Sequence, residues 1–359
     1  MKRLATLCVA GMLLAQAGSA VLAADTGPEL KSIGPMAFAP KGVLLIGDPK
    51  QAAVFAVETG DMAKADKMAP INIEGLGEKL ADMLGTKASD IQVKDLAINP
   101  LSGTAYLGVH RGRGPEATPV VLKIAGSEIT EFAVKEAKFT KAALTNAPKD
   151  AGQGRRNRRT LSITDIAFSD GQVIVAGLSN EEFASKLRVM DFPFKSVDAG
   201  TSVEVYHGAH GKLETRSPVR TFIPFKIDDK PHLLAAYTCT PLVKFPVTDL
   251  VPGKKIQGTT IAELGAGNHP LDMVTYEKDG KNFLLIANSR RGIMKVDTAQ
   301  VSGQEAITSK VARGKTAGIK YETIKDWKGV VQLEQLDAKH ACLVIDDKDA
   351  SHLKTVALP

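Results

Sequence analysis

The chain has 359 residues, and its 46 basic against 40 acidic side chains leave a net charge of only +6. That mild bias, with 5% aromatic residues, excludes the dense cationic and aromatic surface of a nucleic-acid binder. No apolar run after the N-terminus approaches the roughly 18 residues of a membrane-spanning helix, and the length exceeds what one ordinary hydrophobic core organises well.

Residues 1–23 read as a secretory signal. Lys2 and Arg3 precede an apolar run from Leu4 to Leu14, and small residues lead to a cleavage position near Ala23. The expected product is a periplasmic or extracellular protein made of one domain over residues 24–359. Cys239 and Cys342 remain after cleavage. Export permits them to pair, but their places at opposite ends of strands in separate repeats argue against it.

Six copies of one pattern follow. They span Gly34–Asp61, Val93–Gly126, Ile163–Phe192, Arg220–Val247, Gly265–Asp297 and Gly329–Leu358. Each has a short apolar strand, a tight turn such as Asp279-Gly280, a second strand of continuous apolar residues, a polar corner and a third strand. Continuous runs such as Val43–Ile46 and Phe283–Ala287 suit strands covered on both faces. Repetition at this scale is the signature of a propeller. The expected fold is therefore an all-β, six-bladed β-propeller, or seven-bladed if the stretch from Thr298 to Lys325 or the insert before the third copy hides a further blade. Closure of the ring is expected to pair residues near Leu30 to Ile33 with the sixth copy, so that no sheet edge is left exposed.

Two inserts interrupt the repeats. Between Glu74 and Leu84, Leu76, Leu80, Met83 and Leu84 recur at helical spacing and Gly85 follows at the C-cap position, which predicts a short amphipathic helix. The stretch from Lys135 to Arg159 is rich in Lys and Arg. It reads as a solvated mobile loop or as a docking arm for an anionic partner or surface.

In an antiparallel blade, the start of the first strand and the end of the second lie at the same end of the ring. Asp95, Asp165 and Asp272 open first strands. Asp48, His110, Asn180, Cys239, Asn288 and Asp346 close second strands. One channel mouth is expected to collect them as a ligand rim. Converging carboxylates repel one another by about 4 kcal/mol per close pair at an intermediate dielectric. Backbone amides organising each loop, a bound cation such as Ca²⁺, or the corner arginines Arg111, Arg113, Arg290 and Arg291 are the groups able to offset that. His110 and His269 are the candidates for a general base. His207 and His210 have H-x-x-H spacing but no third ligand nearby in sequence, which points to adventitious metal affinity. Nucleophile-elbow, phosphate-loop and covalent-haem motifs are absent.

The fifth copy, with NHPLDMV, KDGKNFLLIANS and GIMKVD, resembles the repeats of YVTN and NHL propellers. It also looks like part of the six-bladed arylesterase and lactonase propellers, whose channel calcium lies under Asn, Asp and Glu side chains. That resemblance implies Asn268, Asp272 and Asn288 as metal ligands, with Asp95 and Asp165 joining them through the register of the repeats. Propellers host many unrelated functions. The leading expectation is an exported binding or scaffold module for a small ligand, a metal ion or a partner protein. The alternatives are a calcium-dependent ester or lactone hydrolase and, more remotely, a redox-partner propeller similar to the large subunits of quinoprotein dehydrogenases.

Overall fold

Tight turns set the local structure. Lys41-Gly42, Asp170-Gly171, Asp228-Asp229 and Asp279-Gly280 all have positive φ at both residues, for example 53° and 71° at the last pair. This is the left-handed geometry that a two-residue hairpin requires, and Gly, Asp and Asn tolerate it best. Each turn joins the innermost strand of a blade to its second strand. The second strands then read as uninterrupted apolar runs; Leu44, Leu45 and Ile46 have no exposed surface.

The computed structural model describes residues 27–152, 157–239, 241–347 and 350–359, with the backbone of 18–19 and 21–22. Apart from the backbone at 18–19 and 21–22, the expected signal segment lies outside the described residues, as do Arg155 and Arg156 of the basic insert. Six blades surround a central channel. Their innermost strands are Met36–Ala39, Ile91–Ile98, Asp165–Ser169, Val219–Ile227, Pro270–Lys278 and Val330–Gln335, which define blades 1 to 6 in chain order. The stretch from Thr298 to Lys325 builds no seventh blade. Glu322–Ile324 is the outer strand of blade 5, and Ala317–Gly318 pairs with the outer strand of blade 4.

The order of blades around the ring differs from their order in the chain. Blade 1 lies between blades 2 and 3, and blade 2 lies between blades 1 and 6. The buried apolar clusters record this arrangement seam by seam. Leu45, Val54 and Val173 join blades 1 and 3, Ile46, Phe55 and Tyr106 join blades 1 and 2, and Leu107, Val344 and Leu353 join blades 2 and 6.

The two inserts make this possible. After blade 1, the chain passes blade 2, adds Asn72–Ile73 as the outermost strand of blade 6, and only then returns to form blade 2. After blade 2, Phe139–Ala143 pairs with Ala53–Glu58 and becomes the fourth strand of blade 1, counted from the channel. Two sequence expectations are corrected by this geometry. Ring closure is made by Asn72–Ile73, while Ile33 packs in the seam of blades 1 and 2 with Leu30 against it. The basic insert is also not simply a loop, because its first half carries a strand and Arg159 is tied to Lys50 O at 3.0 Å and Pro148 O at 2.9 Å.

The helix predicted between the two blades is Leu76–Leu84. Gly85 ends it at φ 63°, and the Thr86 amide donates to Ala81 O at 2.9 Å. Leu76, Leu80 and Leu84 are buried against blades 2 and 6, whereas Met83 turns outward. The helix therefore covers the seam at which the swapped blades meet. Replacing Leu80 by Ala should cost about 3 kcal/mol of unfolding free energy through the cavity it leaves. Met83→Ala should stay within about 0.5 kcal/mol, and denaturant unfolding of both variants measures the difference.

Candidate functional site

An innermost strand pairs on one side only, so its other edge turns unpaired amides toward the channel. Aspartate satisfies them here. Asp165 accepts from its own neighbour, Ile166 N at 2.8 Å, through Oδ1, and from Phe222 N of blade 4 at 2.6 Å through Oδ2. Asp272 repeats the arrangement with Met273 N and with Leu333 N of blade 6, both at 2.8 Å. Asp95 accepts from Met36 N of blade 1 and from Leu96. Each aspartate thus clips its own blade to the next one in the same sense around the ring, joining 2 to 1, 3 to 4 and 5 to 6. The equivalent positions of the receiving blades hold Pro35, Thr221 and Gln332.

These three carboxyl groups form the waist of the channel. A funnel of about 580 Å³ opens on one side of them and a second of about 470 Å³ on the other. Glu334 joins them from blade 6, facing the larger funnel. Burial pushes Asp165 up to about 7 and Glu334 up to about 8, and the charge of Asp165 adds to the latter. Asp95 and Asp272 stand well above the usual carboxylate range, first from burial and then from repulsion within the group.

The smaller funnel is collared by cations. Four innermost strands carry a β-bulge just before the clip position, between Val93 and Asp95, Val219 and Thr221, Pro270 and Asp272, and Val330 and Gln332. The bulge re-aims the extra residue, and Lys94 and Arg220 thereby reach the funnel wall. Burial lowers the pKa of both side chains, and Arg113 adds to the effect at Lys94. Arg220 Nε is buried and meets no hydrogen-bond partner. His110 stands beside them. Its Nε2 accepts from Ile33 N at 2.9 Å, which leaves the ring proton on Nδ1. Burial, with the charges of Lys94 and Lys50, lowers it to about 4, so the imidazole is neutral near pH 7.

Of the residues expected at one rim, Asp95, Asp165, Asp272 and His110 line this funnel. The others do different work. Asp48 is fully buried and holds the N-terminal segment through Lys31 N at 2.6 Å, Ser32 Oγ at 2.5 Å and Gln51 N at 3.0 Å. Asn268 and Asn288 bond each other at 2.9 Å, and their remaining bonds brace the corner at Arg290 N and Ile286 O. Asn180 and Asp346 are exposed and donate backbone amides to Asn146 O and Gly329 O. His269 is exposed at its corner outside the funnel lining, while Cys239 lies at the junction of blades 3 and 4.

The arginines proposed as counter-charges are also elsewhere. Arg111 donates to Leu84 O, Arg113 reaches Ser89 O and Asp90, and Arg291 packs against Gly265. Among the described residues, Cys239 and Cys342 form no disulfide with each other. Cys342 is buried beside Thr355, and burial raises its thiol to about 11. Lys94, Arg220 and Glu334 were not singled out from the sequence. The signal for the first two was their place immediately before the aligned clip positions Asp95 and Thr221.

No protein-family model and no curated protein matches the chain. Solved structures do resemble it. The extracellular domains 1–2 of Drosophila semaphorin 1b align over 96% of this chain and 87% of that one, at 10% identity and a TM-score of 0.40. The PQQ-bound aldose sugar dehydrogenase of Streptomyces coelicolor covers 94% and 98%, at 12% identity and 0.33. The apo soluble aldose sugar dehydrogenase of Escherichia coli covers 95% and 100%, at 10% identity and 0.35. The protein is a six-bladed β-propeller by its own strand order, and at such TM-scores the likenesses carry no argument about function. Among the described residues no helix is long and apolar enough to cross a membrane.

The buried acids make stability depend on pH in a definite direction. Glu334 loses its proton near 4.5 when unfolded and near 8 when folded. The folded protein therefore holds more protons through that window, and stability falls as pH rises across it. Glu334→Gln should raise Tm at pH 8 by roughly 3 °C or more and leave it nearly unchanged at pH 4. Calorimetry at the two pH values checks the difference.

Proposed function

We propose that the smaller funnel binds a small hydroxylated organic anion, a sugar acid or related hydroxy-carboxylate, and that the protein is a binding module rather than a catalyst. The observation that carries this reading is the buried, unpartnered Nε of Arg220 beside Lys94 in a funnel of about 470 Å³. A buried donor without a partner costs roughly 1–3 kcal/mol, and an anionic group on a ligand would recover it. The volume lies in the usual range for small-molecule sites. The acids at the floor support the same class of ligand, since a protonated carboxyl group donates to a hydroxyl and an ionised one accepts from it. His110 contributes a neutral donor at the wall, because its basic nitrogen is already engaged by Ile33.

The pattern of residues 1–23 supports a periplasmic or extracellular place of action, where such a module would meet solutes directly. Isothermal titration against a hexuronate, an aldonate and a neutral hexose tests the assignment. The acids should bind and the hexose should not, and Arg220→Met should weaken the acids at least tenfold. If none of the acids binds, or if Arg220→Met binds them as well as the parent does, the assignment is wrong.

A second reading, calcium at the waist serving an ester or lactone hydrolase, draws on the convergence of Asp95, Asp165, Asp272 and Glu334. The donor set fits calcium in part. The oxygens of Asp165 and Asp272 already accept backbone amides, and Asp165 also a bond from the Thr221 side chain, while Asn268 and Asn288 stand outside the funnels. Calcium held here would offset the repulsion among the acids. Millimolar Ca²⁺ should then raise the Tm of the parent and have a smaller effect on Glu334→Gln. An identical Tm with Ca²⁺ and with chelator would remove this reading.

A further inference from the structure

We propose that His207, His210 and Cys239 form a binding site for a divalent transition metal of the zinc class, at the junction of blades 3 and 4. The two histidines come from the end of Thr201–His207 and the turn that follows it, and Cys239 comes from the corner after Lys230–Tyr237. Their ligand atoms all lie within 4.8 Å of one another. The third ligand absent from the local sequence thus arrives from the neighbouring blade. Around a tetrahedral zinc with bonds of about 2.0–2.3 Å, ligand atoms stand roughly 3.3–3.8 Å apart. The observed cluster needs only a small inward movement to reach that spacing.

The buried groups around it point to a ligand independently of the clustering. His207 is 2% exposed, and its Nε2 is buried with no hydrogen-bond partner. Its other nitrogen, Nδ1, lies 3.0 Å from Glu214 Oε2. A carboxylate on Nδ1 holds the proton there and leaves the Nε2 lone pair free, which is the tautomer of a metal-bound imidazole. Glu214 orients both rings, since its Oε1 meets His210 Nδ1 at 2.6 Å, and Ser217 Oγ secures the same carboxylate at 2.5 Å.

A second carboxylate lies behind the cluster. Glu263 is 1% exposed, and its two oxygens have no hydrogen-bond partner; the nearby amides of Gly208 and Ala209 do not reach bonding geometry. A Cβ at position 208 would stand 2.9 Å from Glu263 Cγ and 3.0 Å from Oε1, so glycine between the histidines is what lets this acid approach. Two imidazoles and a thiol are the donors that a borderline-soft cation selects over Ca²⁺ or Mg²⁺. With ligands from blade 3 and blade 4, the metal would tie the two blades together.

Cobalt(II) is the probe, because a thiolate ligand makes its binding visible. Metal-free full-length protein should take up one Co²⁺ per chain with a thiolate-to-cobalt charge-transfer band, and Zn²⁺ should displace it. Cys239→Ser should abolish the band, and His207→Gln should weaken binding at least tenfold. Arg220→Met and Glu334→Gln, which alter the channel, should keep the band. Absence of stoichiometric uptake by the parent protein would overturn the assignment without recourse to any variant. So would a band that survives in Cys239→Ser, which would place the thiolate at another cysteine, or a band lost in the channel variants.

Discussion

Six strands lining a channel present six edge amides, and an unpaired buried amide is among the more costly defects a fold can carry. Three aspartates resolve this. Each places one oxygen on the amide that follows it and the other on the corresponding amide of the next blade, so Asp95, Asp165 and Asp272 serve all six. Carboxylates at all six positions would have multiplied the repulsion at the narrowest point of the molecule. Alternating them with Pro35, Thr221 and Gln332 keeps the bonds and halves the charge. Burial first, and then the charge that remains, raises the proton affinity of the group and gives the channel floor its polarity.

The same clips fit a ring whose blades do not follow the chain. A clip needs only a neighbour with an edge amide, and blade 1 offers Met36 N to blade 2 as well as it could to any other. The swap itself rests on the two inserts. Each supplies a strand to a blade distant in sequence, Asn72–Ile73 to blade 6 and Phe139–Ala143 to blade 1, so the detours that reverse the first two blades also cover sheet edges that would otherwise stand open. Packing of Leu80 and its neighbours then completes the seam between blades 2 and 6.

Much of the site was legible in the repeat alignment, and the limits of that legibility are physical. The register argument placed Asp95, Asp165, Asp272 and His110 at one mouth because strand pairing is antiparallel and the hairpins are short. It failed for Asp48 and Asn288 because position along a strand says nothing of distance from the channel axis, and these residues brace corners outside the funnel lining. Lys94 and Arg220 escaped notice because a β-bulge changes which way a side chain faces, and the alternation used to read strands assumes there is none.

The amino-acid sequence by itself determined the blade. Asp-Gly turns, apolar runs of strand length and the Asp that opens the first strand are local features, decided by backbone sterics and burial within about thirty residues, as was the Leu76–Leu84 helix with its Gly85 cap. Tertiary structure alone decided the order of the blades, the partner of each clip and the meeting of His207 and His210 with Cys239. Those relations join residues from different repeats, and which blades become neighbours depends on how long connections fold back over the ring. Six blades of similar pattern leave that choice open until their seams pack.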